Sequence, residues 1–308
     1  MSPHDHETPA GRGPAGDHAH GGHHGHDTTH IDWEEFATLL ESEAALSLPL
    51  YEEVAHWVRE QLPAGSVRRV LDVGSGPGAV SCLLAEVFPQ AEVVAVDATP
   101  GLLELARARA DRTGLGDRVG TRLAELPDGL AELGPADLVW ASGSLHHVGD
   151  QRAVLTGLAG LLRPGGLLAL LEGGLPARHL PRDIGIGRPG LESRLEAAAA
   201  AWFADMRAAL PGAKAEVENW RALLGAAGLT PTLTRSFLLD VPAPVTDAVR
   251  EGLVSGLSWQ RGALEGRLDA DDAAVLDRLL DPDDEEGLMH RPDCFMLAVR
   301  TVHTARRG

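Results

Sequence analysis

The segment Val70-Leu71-Asp72-Val73-Gly74-Ser75-Gly76-Pro77-Gly78-Ala79 constrains the fold more than any other part of this 308-residue chain. A short apolar run closes on an acid, three glycines alternate with small residues, and a helical apolar pattern begins at Ala79. That order reads as a strand, a tight turn and a helix start. Glycine admits dihedrals closed to other residues and leaves no side chain between the backbone and a ligand. The segment is therefore expected to be a binding turn at the end of a buried strand.

The rhythm around it supports a parallel α/β sheet. Strand-like runs fall at Arg69–Val73, Val93–Asp97, Arg118–Leu123, Asp137–Ala141 and Leu167–Glu172, with helical runs Ala79–Phe88, Gly101–Thr113 and Asp150–Leu162 between them. Alternation of this kind predicts a Rossmann-like, doubly wound α/β sheet, mostly parallel and covered on both faces. Ligands of such sheets bind at the carboxyl ends of the strands. Downstream, Leu191–Leu210, Val217–Ala227, Val245–Leu264 and Asp271–Leu280 read as helices. Thr230–Val241 and Asp293–Thr301 read as strands, the last of them antiparallel.

The flanks divide the chain further. Residues 1–30 hold eight of the fourteen histidines and almost no large apolar residue, and are expected to form a disordered tail. Imidazoles at short spacing suit metals, but a glycine-rich tail lacks the fixed second shell of a defined site, so no metal site is assigned. Residues 31–65 read as a helical cap in two pieces, one from about Ile31 and one from Pro49 to Leu62. Residues 66–175 form the cofactor-binding core. Residues 176–308 complete it, with helical insertions at about 176–215 and 243–291.

Composition removes several functions. The formal charge of −18 opposes binding to a phosphate backbone, so nucleic acid is not expected as a partner. The acidic run Asp269 to Glu286 reads as a solvated surface. No apolar run nears the ~18 residues of a membrane span, and the start of the chain shows no secretory signal. The two cysteines, Cys82 and Cys294, form no disulfide framework or metal motif, which makes a cytoplasmic location the default.

The glycine turn also fits the loose dinucleotide fingerprint G-x-G-x-x-[GA] with an acid about 20 residues on. A dinucleotide would set its pyrophosphate at the helix N-terminus, close to the charge of Asp72. A sulfonium cofactor has no phosphate and carries two cationic groups, so it suits that acid better. Asp97, closing the second strand, is placed to accept both hydroxyls of a ribose.

With these residues stand two further segments, Ala136-Asp137-Leu138-Val139-Trp140-Ala141-Ser142-Gly143-Ser144-Leu145-His146-His147-Val148 and Leu161-Leu162-Arg163-Pro164-Gly165-Gly166. Jointly and in this order the four segments resemble the class I S-adenosylmethionine-dependent methyltransferases of the small-molecule type, over about residues 66–175. The resemblance implies that Gly74, Ser75, Gly76 and Gly78 line the cofactor, with Asp72 near its methionyl end. It implies that Asp97 holds the ribose and that Ala98 lies beside the adenine. Leu123-Ala124-Glu125-Leu126 stands where the family often carries an Asp-Ala pair, making Glu125 and Leu126 the matching adenine contacts. Ala141, Ser142 and Gly143 would pass beside the methionyl group. S-adenosyl-L-homocysteine is the implied product.

Methyl transfer is an in-line displacement that relies on positioning, and a base is needed only when the nucleophile must first lose a proton. His146 and His147 follow the fourth strand and titrate near neutrality, which makes either a candidate base. The strand end lacks the Asn/Asp-Pro-Pro-aromatic pattern of adenine-amino methyltransferases, and Cys82 on the cofactor helix is poorly placed for pyrimidine chemistry. Of twelve aromatic residues only Phe88, Trp140 and Phe295 fall in the predicted core spans. Most of the others should anchor helices to the sheet. Trp33, Phe36, Tyr51 and Trp202 are the candidate substrate contacts, since aromatic side chains bring rigid contact area to an apolar pocket. The insertion near 243–291 either caps the site or builds a homodimer interface.

The expected activity is methyl transfer to an oxygen, nitrogen or carbon of a small molecule. The alternatives are a non-methylating enzyme that binds the same cofactor, a nicotinamide-dependent oxidoreductase and, outside enzymes, a metal-binding protein built on the histidine tail.

Overall fold

The computed structural model describes residues 37–308. The histidine-rich segment and the candidate contacts Trp33 and Phe36 lie outside the described residues. Eight α-helices and seven strands alternate through the rest. They are α1 (Ala37–Glu60), β1 (Arg69–Val73), α2 (Ala79–Val87), β2 (Glu92–Asp97), α3 (Pro100–Arg112), β3 (Val119–Leu123), β4 (Ala136–Ser142), α4 (Gln151–Leu161) and β5 (Leu162–Arg178). After these come α5 (Leu191–Ala209), α6 (Trp220–Ala226), β6 (Thr230–Val241), α7 (Asp247–Ala263), α8 (Ala270–Leu280) and β7 (Met296–Arg306).

All seven strands form one sheet in the order β3-β2-β1-β4-β5-β7-β6. β1 pairs in parallel with β2 and β4, β2 with β3, and β4 with β5. β7 runs antiparallel between β5 and β6. This is the doubly wound sheet with an antiparallel last strand that the alternation predicts. Its central strands are apolar on both faces, as a sheet covered on both sides requires. Along β5, Leu167, Ala169 and Leu171 enter the core beneath α1 and α2, while Leu168 and Leu170 enter the core beneath α4 and α6. A third core joins α5, α7 and α8 around Leu195, Trp202, Leu253, Leu257, Leu276 and Leu279.

Two local expectations are corrected. The helical cap before the core is one helix among the described residues, passing through Pro49. A proline inside a helix removes one ladder hydrogen bond. Here packing on both sides of it holds the helix together. Leu46 presses on Gly252 of α7 closely enough that a Cβ there would lie 2.6 Å from Leu46 Cδ1, and Leu50 is buried in the sheet core. The last strand begins later than expected and runs on to Arg306. Its second half reads as polar because the buried Thr304 is satisfied internally, donating to Gln61 Oε1 at 2.9 Å.

Candidate active site

The glycine turn leaves β1 with Gly74, Gly76 and Gly78 all at positive φ, 72°, 53° and 75°. The N–H groups of Gly74 and Ser75 both donate to Val96 O, at 2.8 and 3.0 Å, which ties the turn to β2. The three glycines have different reasons for lacking a side chain. A Cβ on Gly74 would lie 2.3 Å from Ser144 Cβ, and one on Gly78 would lie 2.6 Å from Ala106 Cβ of α3. A Cβ on Gly76 would meet nothing within 4 Å. Gly74 and Gly78 thus let structural elements approach, while Gly76 leaves an open cradle. Ser75 Oγ is buried there with no hydrogen-bond partner. An open cradle beside an unsatisfied hydroxyl fits a bound polar ligand.

Asp97 faces that cradle from the end of β2. Its Oδ2 accepts from Gly76 N–H at 2.9 Å and its Oδ1 from Thr99 N–H at 3.0 Å. These charge-assisted bonds hold the carboxylate in one orientation with lone pairs left for a ligand. Ala98, next to it, is exposed. Asp72 differs from it. Its carboxyl is buried beneath the turn and accepts from Ser81 Oγ of α2 at 2.6 Å. Burial pushes its pKa up to about 7, the Ser81 hydrogen bond opposing and the charge of Asp97 reinforcing the rise. Glu125 is exposed and Leu126 half-buried just past β3, beside the exit of β2.

At the end of β4, Ala141 is buried, Ser142 half-buried and Gly143 exposed. The chain then makes a single 3-10 turn, Leu145–His147. Glu172 of β5, itself buried, organises this turn. Its Oε1 accepts from Leu145 N–H at 2.8 Å, and its Oε2 lies 2.8 Å from His146 Nδ1. A carboxylate that already accepts one N–H favours the His146 tautomer with its proton on Nδ1, which leaves Nε2 as an acceptor. The ring edge lies near Gly143, where an added Cβ would come 4.0 Å from His146 Cε1. Arg207 of α5 fixes the same turn from the other side, donating to His146 O and Val148 O at 2.7 Å each. His147 stacks against His146 with centroids 4.1 Å apart. Burial first, then the charges of His146 and Arg207, push its pKa down to about 3.

Helices roof this end of the sheet. Ser142 Oγ donates to Tyr51 OH of α1 at 3.4 Å. Arg109 of α3 ties α1 to the glycine turn, donating to Glu41 at 2.9 Å and to Pro77 O at 3.1 Å. From α5, Phe203 approaches His146 with ring centroids 5.5 Å apart. Trp202, the sequence candidate, is instead buried in the helical core, edge-on to Trp259 at 5.6 Å. Side chains one residue apart on a helix point about 100° apart, so the α5 aromatic whose ring meets His146 is Phe203 and not Trp202. Glu172 and Phe203 were missed as site residues. Glu172 carried a signal as an acid closing the fifth strand, in the manner of Asp97 on the second. Among the described residues no group of three or more His, Cys, Asp or Glu is arranged to hold a metal, and no helix is long and apolar enough to cross a membrane.

Residues 71–168 match the model of a methyltransferase domain. The chain is 35% identical over 176 residues to the trans-aconitate 2-methyltransferase of Methylobacterium radiotolerans, across 52% of this chain and 63% of that protein. It therefore spans less than two thirds of that relative's length. It is 32% identical over 218 residues to the release factor glutamine methyltransferase of Deinococcus radiodurans, across 64% of this chain and 74% of that one. A solved O-methyltransferase family protein from Burkholderia thailandensis superposes with a TM-score of 0.48 at 18% identity, covering 86% of this chain and 57% of its own.

Proposed function

The chain belongs to the class I S-adenosylmethionine-dependent methyltransferases, and from that membership we propose that it methylates an oxygen nucleophile of a small organic molecule. The observation that carries this reading is the carboxylate-oriented imidazole of His146 beside Gly143. Its loop touches the glycine turn where Ser144 packs on Gly74 and donates to Val73 O at 3.1 Å.

In this reading Gly74, Ser75, Gly76 and Gly78 cradle the cofactor and Asp97 accepts its ribose hydroxyls. Ala98, Glu125 and Leu126 flank the adenine. Ala141, Ser142 and Gly143 run along the methionyl portion. Asp72 acts from below, through Ser81 and the turn. When bound, S-adenosylmethionine supplies an electrophilic methyl carbon on a sulfonium. His146 Nε2 takes the proton of a hydroxyl as that oxygen becomes the nucleophile, and Glu172 holds the imidazole in place and stabilises the charge it gains. Tyr51 and Phe203 bound the acceptor, and the helical roof excludes water from the reacting atoms.

Substrate size is argued from the roof and the charge. Helices α1 and α5 close over the strand ends and favour a compact acceptor over a protein surface. The net charge of −18 disfavours a polyanion. One relative is named for a release factor glutamine, but a carboxamide nitrogen, its lone pair delocalised into the carbonyl, is a poorer nucleophile than a hydroxyl oxygen whose proton an imidazole is removing.

Calorimetry with S-adenosylmethionine, followed by turnover on a panel of hydroxylated small molecules, tests the reading. S-adenosylhomocysteine should appear in equal amount with an O-methylated product. Asp97→Ala should weaken cofactor binding by about 1.5–3 kcal/mol, the range for a hydrogen bond to a charged group. Unchanged affinity in a folded variant would exclude the ribose assignment.

A further inference from the structure

The turn that carries His146 has two backbone bonds of its own, from His147 N–H to Ser144 O and from Val148 N–H to Leu145 O, each at 3.2 Å. Glu172 holds its start from β5, at Leu145 N–H and at the imidazole. From His146 onward the main chain is gripped by the cap. A single nitrogen of Arg207, Nη1, lies 2.7 Å from His146 O and 2.7 Å from Val148 O. Phe203 precedes Arg207 by four residues, which sets both on one face of α5. The Phe203 ring lies 5.5 Å from the ring of His146. One helix face thus touches His146 twice, at its ring and at its carbonyl.

The contact continues past the end of α5. Gly149 packs on Pro211 O with no room for a Cβ, and Lys214 N–H donates to Gly149 O at 3.0 Å. Lys214 Nζ pairs with Asp150, and Arg152 forks onto the two oxygens of Glu216 at 2.9 and 3.0 Å. Residues 203–216 therefore lie along residues 146–152. In this seam the exposed Lys214 and Arg152 close on carboxylates, whereas the half-buried Arg207 closes on the two carbonyls on either side of His147. Elsewhere α5 is fixed in the cap, where Leu195, Trp202 and Met206 are buried with residues of α7 and α8.

We propose that Arg207 is a positioning residue for methyl transfer, holding the backbone of His146 so that Nε2 stands at the acceptor oxygen. The inference rests on the reading of His146 as the base and deepens it. In that step the acceptor proton passes to Nε2 while the methyl carbon leaves sulfur for the oxygen, and S-adenosylhomocysteine remains. Glu172 selects the free nitrogen and ties down the start of the turn. Arg207 ties down the rest, so the reach of the ring follows α5 and with it the cap. Hydrogen bonds from an ionised donor are shorter and about twice as strong as neutral ones, which suits a clamp made by one nitrogen. Misplacing a reacting group by about 1 Å can cost about 10²-fold in rate.

The test is heteronuclear NMR of the full chain, carrying isotope-labelled histidine and saturated with S-adenosylhomocysteine, with the His146 signals assigned through His146→Gln. In the wild type the Nδ1 proton held by Glu172 should exchange slowly with water. Arg207→Gln removes hydrogen bonds from a charged donor and should speed that exchange by about tenfold or more. Arg207→Lys keeps the charge without the fork and should fall between the two. Arg152→Gln cuts the same seam away from His146 and should exchange as the wild type does. Cofactor affinity should be unchanged in all three Arg variants. On the panel of hydroxylated acceptors, Arg207→Gln should lower kcat by about 10–10²-fold and change KM far less. Wild-type exchange in Arg207→Gln, equal loosening in Arg152→Gln, or a loosened signal with kcat unchanged would overturn the proposal. Normal turnover by His146→Gln defeats the reading of His146 as the base, whereas a loss in His146→Gln that Arg207→Gln does not share defeats only the positioning role. A panel without turnover defeats the oxygen-acceptor reading and leaves the exchange rates to decide whether Arg207 holds the ring.

Discussion

His146 and His147 are neighbours of identical chemistry placed in different surroundings. His146 has a carboxylate at 2.8 Å and an aromatic wall, while half-buried His147 is crowded by protein and held neutral, its pKa down to about 3. A base that weak contributes little at neutral pH, because proton-transfer catalysis needs a pKa near the working pH. His146→Gln should therefore lower kcat by about 10²–10⁴ with cofactor affinity intact. His147→Gln should keep the acid limb of the pH–rate profile, and loss of that limb would reverse the assignment. The depressed value of His147 also has a stability consequence. Above pH 6.5 neither folded nor unfolded chain protonates it and the folded state keeps its full advantage. As the pH falls from 6.5 toward about 3 only the unfolded chain takes the proton, so stability is lost across that window. Melting curves of His147→Gln should fall less steeply there than those of the wild type. The sequence places both histidines after the fourth strand but does not rank them. Their difference comes from Glu172, which lies 26 residues further on and reaches the turn only once β4 and β5 pair.

At the scale of the element, the glycine turn looks like three copies of one signal and is three solutions. Gly78 admits α3, with Ala106 2.6 Å from where a Cβ would stand, whereas Gly76 borders open space. Gly78→Ala should cost about 1–3 kcal/mol for the overpacked contact and about 1–2 more for its left-handed φ. Gly76→Ala carries only the second cost and puts a methyl group into the cradle. Denaturant titration and calorimetry together separate the two. Gly78→Ala should unfold markedly earlier. Gly76→Ala should lose only the smaller amount, about 1–2 kcal/mol, and should lose cofactor affinity as well. If both variants lose stability alike with cofactor binding unchanged, the cradle does not face the ligand. The motif was legible because the needed backbone conformation is written in residue type. The continuity of α1 was not, because Pro49 is a local break signal that tertiary packing at Leu46 and Leu50 overrides. Phe203 escaped notice for the same reason, since helical phase relative to a distant loop is a tertiary property.

At the scale of the molecule, the sheet with its two faces is one unit of packing and the helical cap another, with its own core around α5, α7 and α8. The acidic run near the C-terminus, which reads as solvated surface, is partly structural in that cap. Asp269 caps α8 by accepting from Asp272 N–H at 2.8 Å, and Asp277 and Asp284 pair with Arg261 and Arg278. Asp272 is buried and accepts from Arg194 Nε at 2.6 Å and from Arg188 at 3.0 Å, joining α8 to α5 and to the loop before it. The hydrogen bond from Arg194, with burial opposing it, holds the Asp272 carboxyl below its usual range. Its stabilising charge is thus present above the ordinary value of 3.8 and lost as the pH falls through the lower folded value. Composition reports the excess of acids but not which of them folding buries. Breaking a buried pair costs about 3–5 kcal/mol, and the partial exposure of both arginines, 52% and 31%, moves Asp272→Asn to the lower part of that range or beneath it. Because the cap has a separate core, the loss should stay local. Hydrogen exchange in Asp272→Asn should quicken in α5, α8 and residues 179–190 while β1 and β4 remain protected, and cofactor affinity should survive. If acceptor selection resides in the cap and the roof, acceptor binding should weaken in the same variant. Uniform loss of protection across the sheet would show instead that cap and sheet fold as one cooperative unit.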